Sequence, residues 1–363
     1  MRVKFSVGYS LRRNKNFVDK IVECKEHIDE VYFSWGDFPN GRNSQFNSEE
    51  YSPFETASET EKDIDRLCRE GFRFNVLFNG NCYGDGALSR SLFTRIGDTV
   101  DYLGNKYNVV SVTTTSPVIA KFIKANFPEL DVRASVNMAV GSTEGMDYVS
   151  ELFDSFYLKR ELNRDLGAIK RISEYCEKNG KKLHMLANSG CLNNCTAHTF
   201  HDNLVAHETG SSHMDNAYEF VGLCHEYISK PENRAALVRN TNFVRPEDIH
   251  LYEKYFASAK LATRVNPNPT AILGAYVRGK YSGAVTDLLE PSHTSKLYPN
   301  IIDNSRFPKD FAKTVMTCGK HCDECGYCER IYENSLVYID SDGVLAESFS
   351  DEEAVEMQQH KTV

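Results

Sequence analysis

Four cysteines crowd one short stretch near the C-terminus, Cys318-Gly-Lys-His-Cys322-Asp-Glu-Cys325-Gly-Tyr-Cys328. Gaps of three, two and two residues let such a loop fold back on one point. Four thiolates converging there can hold a soft metal, either zinc or an iron–sulfur cluster. A structural zinc ribbon ordinarily separates two CxxC knuckles by a longer loop, whereas here the knuckles overlap. Iron–sulfur, as a 4Fe–4S cluster, is therefore the first expectation at Cys318, Cys322, Cys325 and Cys328, with zinc and plain buried thiols as alternatives.

A second group lies upstream, in Asn188-Ser-Gly-Cys191-Leu-Asn-Asn-Cys195, followed by His198, His201 and His207. Two cysteines four residues apart can equally be packing residues, but their position just past a predicted strand favours metal binding by Cys191 and Cys195. Nearby strand ends are polar. Arg160 with Glu161, and Arg264, could grip a carboxylate or phosphate by paired hydrogen bonds; the plain alternative for Arg160 is an ion pair with a neighbouring strand's carboxylate. Ser34, Asn79, Asn81, Thr113–Thr115 and Asn137 add hydrogen-bonding groups. Trp35, the one tryptophan, could stack a ring or pack in the rim. Hydrolytic motifs are missing. His207-Glu208 is followed by Ser211 where a zinc protease helix needs its second histidine, and no G-x-S-x-G elbow occurs.

These residues need a scaffold, and the first two hundred positions supply a regular alternation. Short apolar strands are predicted at Val3–Tyr9, Glu30–Trp35, Arg73–Asn79, Val109–Thr115, Asp131–Asn137, Ser155–Arg160 and Lys182–Asn188. Helical spacing fills the intervals, at Phe17–His27, Ser58–Glu70, Ser91–Lys106, Pro117–Asn126 and Arg164–Asn179, with Ser116 and Asn163 as caps. The rhythm breaks over 189–242, then Pro246 opens another helix, an eighth strand is expected at Ser258–Val265, and Thr270–Gly283 reads as the closing helix. The prediction is an α/β fold, a (β/α)8 TIM-barrel-like domain over 1–290 with an insertion (189–242) after strand seven. A cysteine-rich C-terminal extension with an acidic tail follows over 291–363. An open doubly wound sheet is the alternative, disfavoured because no glycine-rich phosphate loop follows strand one. In such a barrel, active sites lie at the C-terminal strand ends, where Arg160, Glu161, Cys191 and Arg264 fall.

Composition narrows the function. With 41% hydrophobic and 26% charged residues the chain is ordinary for a globular protein, and no apolar run is long enough to span a membrane. The opening MRVKFSVGYS lacks a signal-peptide core, so a cytoplasmic, reducing location is expected. There, eleven cysteines argue for metal or redox chemistry over a disulfide framework. A net charge of −9 disfavours bulk nucleic-acid binding but leaves a local basic channel open.

The Arg-Glu-Leu of Phe156-Tyr-Leu-Lys-Arg160-Glu161-Leu162, followed by Asn188-Ser-Gly-Cys191 and Cys195 with Cys176 fifteen residues upstream of Cys191, resembles the core signature of peptidase family U32. Val244-Arg-Pro-Glu-Asp248 with Leu251-Tyr-Glu253 resembles a segment of its longer members. The resemblance implies a barrel and a 4Fe–4S cluster held by cysteines around the Gly-Cys motif. It implies oxygen-independent hydroxylation of RNA bases or a quinone precursor, with prephenate the proposed oxygen source in some members. It makes Cys176, Cys191 and Cys195 ligand candidates, with Cys82 or Cys24 as a distant fourth. The C-terminal run is a departure: its thiols could share that cluster or hold a second. The spacing of Cys318, Cys322 and Cys325 also matches the radical-SAM motif, which in those enzymes follows an early strand.

The combined expectation is an iron–sulfur enzyme acting on a small molecule or peptide, aided by an electron donor or partner protein. Arg160 and Arg264 would orient an anionic group. RNA base hydroxylation, a non-catalytic metal-binding scaffold and a peptidase are the alternatives.

Overall fold

The computed structural model describes residues 3–11, 16–42, 52–339 and 345–346; most of the acidic tail lies outside them. Eight parallel strands close on themselves in sequence order: β1 Lys4–Gly8, β2 Ile28–Phe33, β3 Phe74–Phe78, β4 Val109–Thr114, β5 Asp131–Ala134, β6 Ser155–Tyr157, β7 Lys182–Leu186 and β8 Ser258–Leu261. Closure rests on β8 pairing with β1, Ala259 opposite Phe5, which removes the open-sheet alternative. Helices follow the strands as expected, among them Pro53–Arg69, Arg90–Lys106, Pro117–Asn126, Leu166–Lys178 and Pro269–Arg278. Ser116 caps its helix through the Ile119 amide, as predicted. The next expected cap is corrected: Asp165, not Asn163, accepts from the Ala168 amide.

Most strands stop short of the predicted C-terminal limits. Ser34, Trp35, Asn79, Asn137, Arg160 and Asn188 all lie beyond the ladder, where the chain has turned out into the βα loops. Trp35 packs on the rings of Phe33 and Tyr102, so it fills the rim.

The outer faces of the strands and the inner faces of the helices form one large apolar core. The barrel interior is polar by contrast. Glu30, fully buried, pairs with Arg133 at 2.7 Å and accepts from Ser6, Asn75 and Ser111. Burial works to raise the Glu30 pKa, but Arg133 and these donors outweigh it and hold the carboxyl below its usual range.

The insertion after β7 carries short helices at His198–Ala206, Glu208–Ser211, Leu223–Ser229 and Ala236–Arg239. A second apolar core joins this insertion to the C-terminal extension, with Ile228, Leu237 and Phe243 packed against Phe311, Val315 and Ile331. Antiparallel strands β9 Asn300–Ile302, β10 Leu336–Ile339 and β11 Leu345–Ala346 complete that layer.

Candidate functional site

At the C-terminal end of the barrel a small pocket of about 50 Å³ is ringed by cations: Arg42, Arg160, Lys260 and Arg264. Glu290 is the one carboxylate in its wall, and it is paired with Arg42 at 3.3 Å. Arg264 reaches the pocket from beyond β8 and donates to Ser34 Oγ at 3.2 Å. Burial, reinforced by Arg42, pulls its pKa down to about 10. Lys260 Nζ stands 3.9 Å over the ring of Tyr32. Burial first, then the charges of Arg264, Arg133 and Arg42, pull its pKa down to about 7, so near neutrality it is poised between amine and ammonium.

Arg160 is the hinge between this pocket and a larger cavity above it. Its guanidinium donates to Asn137 Oδ1 at 2.9 Å and to Cys191 Sγ at 3.2 Å, so its partners are an amide and a thiol in place of a strand-end carboxylate. Burial opposes its charge, but Cys191, Asp202 and Glu161 outweigh it and raise the pKa. Glu161 lines the upper cavity, and its Oε2 is buried with no hydrogen-bond partner.

The upper cavity, about 290 Å³, is where the thiols of the insertion meet: Cys191, Cys195 and Cys224, beside His198, His201 and His225. The Cys224 thiol is pushed up to about 11 by burial and by the neighbouring Cys191 and Cys195. Cys224, His225 and His293 bring ligand atoms within 4.8 Å of one another. His293 has one ring nitrogen 3.2 Å from the Gly190 carbonyl, while its Nδ1 is buried and unpartnered. Burial, then His225, lowers His293 to about 4, which keeps it neutral and able to ligate.

Backbone packing holds the Cys191 loop in place. Asn188 bonds to both the amide and carbonyl of Ala262 just past β8, and Gly190 donates to the Glu290 carbonyl. A side chain at Gly190 would sit 2.0 Å from the Pro291 carbonyl oxygen, so only glycine allows the segments to meet there.

The C-terminal cysteines form a separate group. Cys318, Cys322, Cys325 and Cys328 all line another cavity of about 250 Å³, which shares no lining residue with the one at the barrel mouth. Of the more distant candidates, Cys176 and Cys24 are buried in the main apolar core, and Cys82 accepts from the Gly84 amide. His207 falls between two short helices, so the partial zinc-protease pattern has no common helical face. Sequence reasoning passed over His225, His293 and Lys260 and left Cys224 among scattered thiols. Lys260 alone had a readable signal, since it alternates with Ser258 and Arg264 over the stretch predicted as the eighth strand.

The chain is similar to the solved structure of the U32 peptidase Mk0906, with 18% sequence identity and a TM-score of 0.51, covering 71% of this chain and 91% of that one. It also aligns with β-methylaspartase from Clostridium tetanomorphum in its magnesium complex, at 12% identity and a TM-score of 0.35, over 57% of this chain and 52% of that one. No family model matches the chain, and no curated protein matches it. The expected U32-like barrel is therefore shown at the level of the fold. Among the described residues no helix is long and apolar enough to cross a membrane.

Proposed function

We propose that this protein is an iron–sulfur enzyme that modifies a small anionic molecule or peptide at the barrel mouth by oxygen-independent, hydroxylation-type chemistry. The observation that carries the reading is the convergence of Cys191, Cys195 and Cys224 on one cavity that shares Arg42 and Arg160 with the ring of Arg42, Arg160, Lys260 and Arg264. Three thiols of that kind fit a 4Fe–4S cluster, and the buried guanidinium of Arg160 on Cys191 Sγ fits the negative charge such a cluster carries. A cluster with three protein thiolates supplies one iron as a Lewis-acidic and redox-active position beside the substrate.

The remaining work falls to the chain itself. Arg264 and Lys260 bind the substrate's anionic group, and entry of that group favours the charged form of Lys260. Arg160 and Asn137 fix the distance between the bound anion and the thiol-lined cavity. The Glu161 carboxylate, with its free oxygen, accepts or returns a proton. The cavity volume and net acidity of the chain suit a small substrate better than RNA. A second reading is favoured by one geometry: Cys224, His225 and His293 could hold a single zinc or iron ion, as a structural or non-cluster site.

The test separates Cys224 from Cys176, the upstream thiol that the family resemblance suggested. After anaerobic reconstitution, Cys224→Ala is expected to lose the mouth chromophore and Cys176→Ala to keep it. The reverse outcome would overturn the ligand set.

A further inference from the structure

The four C-terminal thiols meet around one cavity of their own, walled by Arg239, Val315 and Tyr327. Their arrangement there suits a cluster. Among the described residues, the only trio of Cys, His or carboxylate ligands within 4.8 Å of one another is Cys224, His225 and His293, so no three of these sulfurs are that close. A tetrahedral zinc ion, with bonds of about 2.3 Å, holds its sulfurs about 3.8 Å apart. A cluster of several irons holds them wider and fills a cavity instead of a point.

A buried charge points the same way. Arg164 is 3% exposed, donates to the carbonyls of Val238 and Phe243, and lies over the rings of Phe243 and Phe311. Those bonds go to neutral acceptors, and the thiol and carboxyl within its field are Cys328 and Asp248, the latter already paired with Arg245 at 2.7 Å. A buried guanidinium is costly without an anion beside it, and a thiolate-bound cluster would be that anion. Lys320 ties the cysteine loop to this spot, donating to the carbonyls of Arg164 at 2.8 Å and Val315 at 2.7 Å.

Two chain segments connect this cavity to the barrel mouth. Arg160, on Cys191, and Arg164, whose charge acts on Cys328, sit four residues apart after β6. The Asn193 amide, between Cys191 and Cys195, donates to the Asn240 carbonyl at 2.6 Å, and the adjacent Arg239 lines the four-thiol cavity.

We propose that Cys318, Cys322, Cys325 and Cys328 bind a second iron–sulfur cluster, ligated entirely by this chain, that relays electrons between the protein surface and the barrel mouth. Its destination rests on the mouth-cluster reading; its ligand set does not. With four protein thiolates no iron is left for substrate, so the site suits electron transfer over substrate chemistry. Exposure of Cys318, Cys322 and Cys325 places it where a one-electron donor protein can dock. In the relay, the donor is oxidised by one electron and the surface cluster reduced. That electron then moves to the mouth cluster and restores the surface cluster, with no bond made or broken.

The test compares the full chain, reconstituted anaerobically with ferrous iron and sulfide, with a Cys191→Ala/Cys195→Ala/Cys224→Ala variant and a Cys322→Ser/Cys325→Ser variant. About eight irons are expected in the parent and about four in each variant. Dithionite reduction of the parent should give an electron paramagnetic resonance spectrum broadened by coupling between two clusters, and each variant should show one uncoupled signal. Four irons in the parent and none in the mouth variant would overturn the second cluster and leave the mouth reading standing. Iron lost only with the C-terminal pair would keep this site and overturn the mouth reading. Zinc at the C-terminal site would overturn the cluster, and two uncoupled clusters would overturn the relay. Circular dichroism checks each variant's fold, and the single exposed change Cys325→Ala carries the same iron count if the double variant unfolds.

Discussion

Lys260 offers the sharpest physical test of the cationic mouth. Its pKa of about 7, against an ordinary 10.5, means the folded protein releases this proton where the unfolded chain still holds it. The unfolded state then binds more protons, so this residue's contribution makes stability rise with pH through that window. Integrating the proton difference from about pH 7 to about pH 8.5 gives a gain of about 1.6 kcal/mol. The assay is urea unfolding of the parent and of Lys260→Met at both pH values. Other titrating groups are common to both proteins and cancel in the difference. The variant's stability advantage should therefore shrink by that amount as pH rises. An advantage that stays constant would show that Lys260 is not held as a depressed lysine and would refute the electrostatics assigned to the mouth. A small carboxylate such as malonate, if bound there, should restore the lysine's proton and flatten the parent's pH dependence in the same assay.

Two further outcomes follow from the packing around the site. Gly190→Ala should cost about 1–3 kcal/mol by overpacking against the Pro291 carbonyl, and should impair metal loading at Cys191, as read by thermal unfolding and iron content. Arg133→Met strands the buried Glu30 charge and should destabilise the fold by about 3–5 kcal/mol near neutral pH. That deficit should narrow as pH falls and Glu30 takes up a proton, which unfolding curves across the acid range would show.

The barrel was legible because both of its periodicities were clean. Strands such as Phe74–Phe78 are apolar but for the inward Asn75, and helices such as Leu166–Lys178 repeat apolar residues at three and four, with Ile169, Ile172 and Cys176 on one buried face. That same periodicity explains why Cys176 is a core residue: its spacing serves the helix. The strand ends were over-extended because residues such as Asn137 and Arg160 remain suited to a strand after the ladder has ended. The convergence of Cys224, His225 and His293 was not legible. They come from an insertion without periodicity and from a turn about seventy residues later, and the shared packing of Ile228, Val285 and Leu297 helps bring those segments together. The separation of the two thiol groups was equally hidden, since spacing says which cysteines can share a metal and not which cavity they face.

The central claim is an iron–sulfur site at Cys191, Cys195 and Cys224. Its most direct test is iron, acid-labile sulfide and zinc quantification of the full chain purified without oxygen, alongside its visible spectrum and the same measurement on Cys191→Ala/Cys195→Ala/Cys224→Ala. A brown protein with iron and sulfide in equal amounts, which loses a defined share of both in the triple variant, is the predicted result. A colourless protein holding only zinc, or an iron content untouched by removal of the three mouth thiols, would contradict it.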